Sequence, residues 1–167
     1  IYHEHVYYYS VRPLIKLFDK YNLKIIRAVN YPIHGGTMRL LITRKDNPNI
    51  NYIQDEKSIQ LIIEKEKYVL DDYIKWGEEV QNHISKSREL ILNLKQQGCT
   101  IAGFGAAAKG CTFLNSAKIN YEQIEYVIDD TDLKKDKYIP GTGIQIVSRN
   151  ILKKDSIDYI IILAHNF

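Results

Sequence analysis

The stretch Ile101 to Gly110, I-A-G-F-G-A-A-A-K-G, constrains the fold more than any other part of the chain. A short apolar run enters a glycine and alanine turn and then a helix-forming segment, which reads as strand, turn, helix. Glycine has no Cβ to hold a neighbour away. The first N–H groups of the following helix, with the positive end of its dipole, suit an anion such as a phosphate. The spacing is G-x-G, short of the full G-x-G-x-x-G dinucleotide signature. Two readings therefore stand side by side: a turn that cradles a phosphate, and a tight strand-to-helix joint whose small residues serve packing.

With 167 residues the chain has room for one domain with a real core, or for one domain and an appended piece. Hydrophobic residues at 45% and charged residues at 26% suit a globular protein, and no apolar run approaches the roughly 18 residues of a membrane span. The 23 basic residues against 20 acidic ones are scattered, which argues against a nucleic-acid partner. Cys99 and Cys111 are too few and too far apart for a zinc ligand set, so no metal is expected; both read as small core residues in a reducing cytoplasm. The chain opens at Ile1, its only methionine is Met38, and it reads as a piece of a longer protein.

Residues 1–9 are rich in β-branched and aromatic types and suggest an extended segment, with Tyr7, Tyr8 and Tyr9 as packing residues. Ser10 is placed to cap a short helix to about Tyr21, with Leu14, Leu17 and Phe18 on one face. Leu23 to Ile33 and Thr37 to Arg44 read as two strands joined at His34-Gly35-Gly36, and Asp46 to Tyr52 as a loop. From Glu56 to Gln97 apolar residues recur at three- and four-residue steps, among them Ile59, Ile62, Ile84, Ile91 and Leu94, and Gly98 stops the helix. Strands are then expected at Thr100 to Phe104, Ile124 to Ile128, Ile144 to Val147 and Tyr159 to Ala164, with a helix over Ala106 to Ala117. Near-continuous Ile and Val runs suit a parallel sheet covered on both faces, whose ligands sit beyond the carboxyl ends of its strands. At those ends lie the Gly103 to Lys109 turn, Asp129-Asp130 and His165-Asn166-Phe167, and Asp129 stands about where a Rossmann acidic residue grips a ribose.

Five motifs in one order carry a more specific resemblance: Y-H-E-H at Tyr2 to His5, H-G-G-T-M-R at His34 to Arg39, G-F-G-A-A-A-K-G at Gly103 to Gly110, K-Y-I-P-G-T at Lys137 to Thr142, and I-I-I-L-A-H-N-F at the end. The chain resembles the C-terminal region of S-adenosylmethionine-dependent sugar C-methyltransferases over nearly its whole length. The resemblance implies methylation of a carbon of a deoxy-4-keto sugar carried on a nucleoside diphosphate, deoxythymidine diphosphate being one candidate carrier. It also implies a zinc module and an S-adenosylmethionine domain ahead of this region, and a Rossmann-like C-terminal domain that helps hold the sugar nucleotide.

A carbon beside a ketone becomes nucleophilic only when a base removes its proton and the enolate is held while it attacks the sulfonium methyl. His5 is the candidate base, since imidazole titrates near neutrality. The resemblance assigns that role to the last histidine of Y-H-E-H and lines the same pocket with Tyr2 and Glu4. Strict strand alternation puts Tyr2 and Glu4 on the face opposite His5, so a bend must intervene. Substrate-facing residues are then His34, Gly35, Gly103, Gly105, Ala106, Ala107, Lys109, Asn115, Asp129, His165 and Asn166. For each a plainer role stands beside the functional one: a hairpin turn for His34 and Gly35, a solvated side chain for Lys109 and Asn115.

The expected fold is α/β: residues 1–55 as the tail of a methyltransferase core, 56–97 as a helical connector, and 98–167 as a Rossmann-like three-layer domain with a mostly parallel sheet that binds the sugar nucleotide. The competing reading is a non-catalytic module that holds a nucleotide or dinucleotide. A third makes the Glu56 to Gln97 helices an oligomerisation device.

Overall fold

The computed structural model describes residues 7–33, 36–66, 69–153 and 156–164. These fall into two compact units, residues 7–72 and 73–164.

The first unit is built on an antiparallel pair, β1 (Leu23–Tyr31) and β2 (Thr37–Arg44), preceded by α1 (Val11–Asp19) and followed by α2 (Ile50–Ile53) and α3 (Glu56–Ile63). The pairing runs from Leu23 opposite Arg44 to Tyr31 opposite Thr37. It slips once between Ile25 and Arg27, leaving Ile26 as an extra residue on β1. That bulge breaks the alternation and lets Ile25, Ile26 and Ala28 all be buried. The start of α3 covers the outer edge of β1: the Asp55 N–H donates to the Ile26 carbonyl at 2.6 Å, and the Ala28 N–H donates to Ser58 Oγ at 3.1 Å. Asp55 also caps α3 by accepting from the Ser58 N–H at 3.1 Å.

Three expectations change in this unit. Val11, Leu14 and Phe18 of α1 enter the core with Ile25, Ala28 and Ile59, whereas Leu17 is exposed, because steps of three and four from Val11 select 14 and 18 and put 17 off the stripe. Ser10 lies at the helix start but its side chain makes no capping bond. The Glu66 carboxylate does that work, accepting the Val11 N–H and, at 3.4 Å, the Arg12 N–H. The expected loop at Asp46 to Tyr52 contains the short helix α2.

The second unit holds most of α4 (Leu70–Gln96), then β3 (Ile101–Phe104), α5 (Ala108–Ser116), β4 (Val127–Ile128), a 3₁₀ turn (Asp132–Lys134), β5 (Ile146–Val147), a second 3₁₀ turn (Arg149–Lys153) and β6 (Tyr159–Ile162). The four strands form one parallel sheet in the order β5-β4-β3-β6. The chain thus steps outward from β3 to β4 to β5 and then returns to the other side of β3, so the order reverses between β3 and β6. Ile101, Val127, Ile146 and Ile161 face α4 and α5, where Ile91, Leu114, Ile124 and Leu163 complete the core. Gly98 ends α4, with the Cys99 N–H reaching back to the Leu94 carbonyl at 3.1 Å. Arg88 of α4 donates to the carbonyls of Ala117, at 2.6 Å, and Lys118, closing the end of α5.

The opposite face of the sheet is covered more thinly than the expected three layers. Ala102, Tyr126 and Ile128 pack there against Val147, Ile151 and Ile157, and among the described residues no α-helix lies over them. The last strand, expected to be buried, is an edge strand with Tyr159, Ile160 and Ile162 exposed. Cys99 and Cys111 are half-buried, Cys111 at the margin of the core. No helix of the described residues is long and apolar enough to cross a membrane.

The α4 stripe reads as core where it meets the sheet: Ile91 is 5% exposed while its neighbour Leu90 is 61% exposed. Ile91→Ala is expected to cost about 2 to 4 kcal/mol in urea unfolding and Leu90→Ala less than about 0.5 kcal/mol. Equal losses would show that α4 does not pack through this face.

Candidate functional site

The carboxyl end of β3 runs into the glycine turn, and the turn is held from both sides. An added Cβ at Gly103 would lie 2.8 Å from Val127 Cγ2 and 3.0 Å from Leu163 Cδ1; at Gly110 it would lie 2.7 Å from Leu163 Cβ. Gly105 is the tightest, with Ala164 Cβ at 2.3 Å, and it has φ +87°, which glycine adopts without strain. The small residues are thus explained by the packing of β3 and α5 against Leu163 and Ala164.

The turn's amides are also engaged. The Gly105 N–H donates to the Ile128 carbonyl at 2.8 Å, and the Ala107 N–H to the Gly105 carbonyl at 2.9 Å. The Ala106 N–H donates to Asp129 Oδ2 at 2.8 Å. Asp129, at the end of β4, also accepts the Thr131 N–H through Oδ1 at 2.9 Å and the Lys134 ammonium through Oδ2 at 3.0 Å. Lys134 in turn donates to the Ala106 carbonyl at 2.9 Å. Burial works to raise the Asp129 pKa, but the donors from Thr131, Lys134 and Ala106 outweigh it and hold the group at about 2. A carboxylate therefore occupies the place over Ala106 where a phosphate was expected, and Asp129 ties the turn together instead of standing free for a ribose.

What stays open is the start of α5. Ala107 is its cap residue and makes no side-chain cap bond, and the Cys111 N–H is the first to close onto the helix, at the Ala107 carbonyl. The N–H groups of Ala108, Lys109 and Gly110 meet no acceptor among the described residues. Lys109 sits among them, half-buried and with no carboxylate partner there. Ala108 stands where the dinucleotide signature has its third small residue, so Gly103, Gly105 and Ala108 match the G-x-G-x-x-A variant.

The side chain of Asn115 is engaged within the protein. Its Nδ2 donates to the Cys111 carbonyl at 2.9 Å and the Pro140 carbonyl at 3.0 Å, and Gly141 approaches so closely that a Cβ there would lie 2.2 Å from Asn115 Oδ1. The K-Y-I-P-G-T segment is thereby pinned to α5. Asp130 pairs with Arg149 through two hydrogen bonds, tying the end of β4 to the turn after β5. Tyr2, Glu4, His5, His34, Gly35, His165 and Asn166 lie outside the described residues. The hairpin next to two of them closes through the Gly36 N–H on the Ile33 carbonyl at 2.9 Å. A separate cavity of about 930 Å³ in the 7–72 unit is lined by Ile15, Leu23, Ile25 and Ile59 with Lys24 and Lys45, and none of the candidate site residues lines it. Those two lysines are already paired, Lys24 with Gln54 and Glu56, and Lys45 with Asp19.

A parallel sheet that reverses its order at β3, with a small-residue turn and an unsatisfied helix start at that point, defines a Rossmann-like domain. Residues 32–167 match the family described as the C-methyltransferase C-terminal domain, and the chain belongs to that family. It is 29% identical over 172 residues to the C-methyltransferase NovU of Streptomyces niveus, an alignment that covers all of this chain and 40% of NovU. The chain thus spans well under half the length of that curated relative.

Lys134 was not singled out from sequence, although a lysine five residues after Asp129 is the signal that could have found it. Asp129→Ala removes the shared acceptor and is expected to cost roughly 2 kcal/mol at pH 7 by urea unfolding. Because the folded pKa is lowered, the wild-type advantage is complete above about pH 4 and fades as the pH falls towards 2. An advantage that persists unchanged to pH 2 would show that the carboxylate is not the stabilising group.

Proposed function

We propose that the chain is the C-terminal part of an S-adenosylmethionine-dependent C-methyltransferase whose substrate is a keto-deoxy sugar carried on a nucleoside diphosphate. Membership of the C-methyltransferase C-terminal domain family supports the reaction class. The observation that carries the ligand assignment is the start of α5, where the amides of Ala108, Lys109 and Gly110 meet no acceptor among the described residues, after the strand at which the sheet order reverses; Lys109 adds a cation to that first turn of helix. Ligands of open parallel sheets settle at that point, and a diphosphate matches both the helix dipole and the cation. The engagement of Asp129 by Ala106, Thr131 and Lys134 weighs against the dinucleotide reading, which needs that carboxylate free for a ribose.

In this reading the 73–164 unit holds the nucleotide and orients the sugar. His5 removes the proton beside the ketone, and Tyr2 and Glu4 line the pocket in which the enolate forms. The methyl donor, S-adenosylmethionine, supplies an electrophilic sulfonium methyl and is held by a domain that precedes this region in the family the chain resembles. The 7–72 unit fits the tail of that core: β2 has one partner strand among the described residues, its other edge is open, and Leu41 and Ile42 on it are exposed. Two strands alone are marginal in water, so this edge suits the continuation of a larger sheet.

Calorimetry is expected to show binding of thymidine diphosphate in preference to NAD; a preference for NAD would overturn the assignment. Incubated with S-adenosylmethionine and a nucleotide-linked 4-keto sugar, the isolated chain is expected to transfer no methyl group. Turnover by this chain alone would show that no further domain is needed. In the full-length enzyme, His5→Ala is expected to lower kcat on the order of 10²- to 10⁴-fold, and an unchanged kcat would remove His5 as the base.

A further inference from the structure

The residue between the two glycines of G-F-G stands apart from its strand. Ile101 and Ala102 are completely buried and Gly103 is buried, yet Phe104, the last residue of β3, is 42% exposed. Its register partner on β6 is Ile162, which is 66% exposed. Paired residues of parallel strands share a face, so the two side chains stand together on the face opposite α5. They also stand at the carboxyl ends of the two strands between which the sheet order reverses. Ile160, two residues lower on β6 and paired with Ala102, extends the same apolar surface. Beyond Phe104 the strands remain in contact, since the Leu163 N–H donates to the Phe104 carbonyl at 2.8 Å and Gly105 touches Ala164. The apolar pair therefore forms a wall beside the turn.

Exposed apolar side chains scattered singly need no explanation, but an aromatic and an isoleucine in register at a topological switch point form a surface with a definite neighbour. That neighbour is the turn leading from Phe104 into α5, whose first three amides meet no acceptor among the described residues and so favour a negative charge. A ligand complementary to both parts is anionic at one end and flat and apolar at the other. We infer that Phe104, with Ile162 beside it, is the wall on which the planar base of the bound nucleoside diphosphate packs. The inference rests on the nucleotide reading of the α5 start and adds to it the residue that recognises the base. An aromatic face accepts any base by stacking, so Phe104 contributes affinity for a base without choosing among bases.

The test is calorimetry of the full chain with thymidine diphosphate and with inorganic pyrophosphate, on the wild type, Phe104→Leu and Phe104→Tyr. Both substitutions keep an apolar side chain of similar bulk, and circular dichroism with thermal melts checks that the fold is intact. Phe104→Leu is expected to weaken thymidine diphosphate roughly five- to hundredfold, the range of a stacked base, and Phe104→Tyr to bind it as the wild type does. Pyrophosphate, which has no base, is expected to bind all three proteins equally. Equal affinity of the wild type and Phe104→Leu for thymidine diphosphate would overturn the role of Phe104 while leaving the anion site standing. Parallel loss of both probes in Phe104→Leu would make the residue a support for the turn and would equally overturn the inference. A wild type that binds neither probe would overturn the nucleotide reading itself, and this inference with it.

Discussion

The second unit depends on how closely β3 and α5 can approach the segment after β6. Val127, Leu163 and Ala164 fill the places that side chains at Gly103, Gly105 and Gly110 would need, so glycines on β3, in the turn and on α5 are matched by residues of β4 and of the segment after β6. Packing at this density leaves no slack for even one methyl group. It also fixes the height at which β3 ends relative to β6, and so places Phe104 beside Ile162. Steric fit here comes before any ligand chemistry, because the turn has this shape whether or not an anion meets it.

Asp129 plays the complementary electrostatic part. One carboxylate satisfies two backbone N–H groups and one ammonium at the point where β4 ends and the turn after β3 begins. Placed near the start of a helix, a negative side chain is favoured by the dipole as an incoming phosphate would be. The protein has thus filled one of its own anion positions, while the amides of Ala108, Lys109 and Gly110 meet no acceptor among the described residues. That set lies on α5 itself, one step further along the chain than the turn that first draws the eye, and it keeps Lys109 among its members.

Much of the fold was legible from residue pattern. The strand at Thr37–Arg44 lies where alternation put it, β1 and β3 fall within a residue or two, and Gly98 ends the long helix as expected. These elements are local: their apolar period and their turn residues decide them. Legibility was poorer where a distant residue decides the outcome. The cap of α1 comes from Glu66, far along the chain, and not from the adjacent Ser10. The run Y-I-I-I promised a strand buried on both sides, yet β6 lies at the sheet edge, and a run of isoleucines looks the same in the centre of a sheet as at its margin. The site shows the same division. Gly103, Gly105 and Asp129 stood out by type and spacing, but their roles depend on Leu163, Ala164, Thr131 and Lys134, which only folding brings to them.

By itself the sequence determined the alternation of strands and helices after Gly98, the small-residue turn and the family likeness, because these are written in composition and order along one segment. The tertiary structure decided which amides of the turn are spent, that Asn115 holds a loop, and that Phe104 faces outward at the reversal of the sheet. Each of those outcomes is a competition between partners far apart in the chain for the same donor, acceptor or space. Only a folded backbone ranks such competitors, since it alone sets their distances.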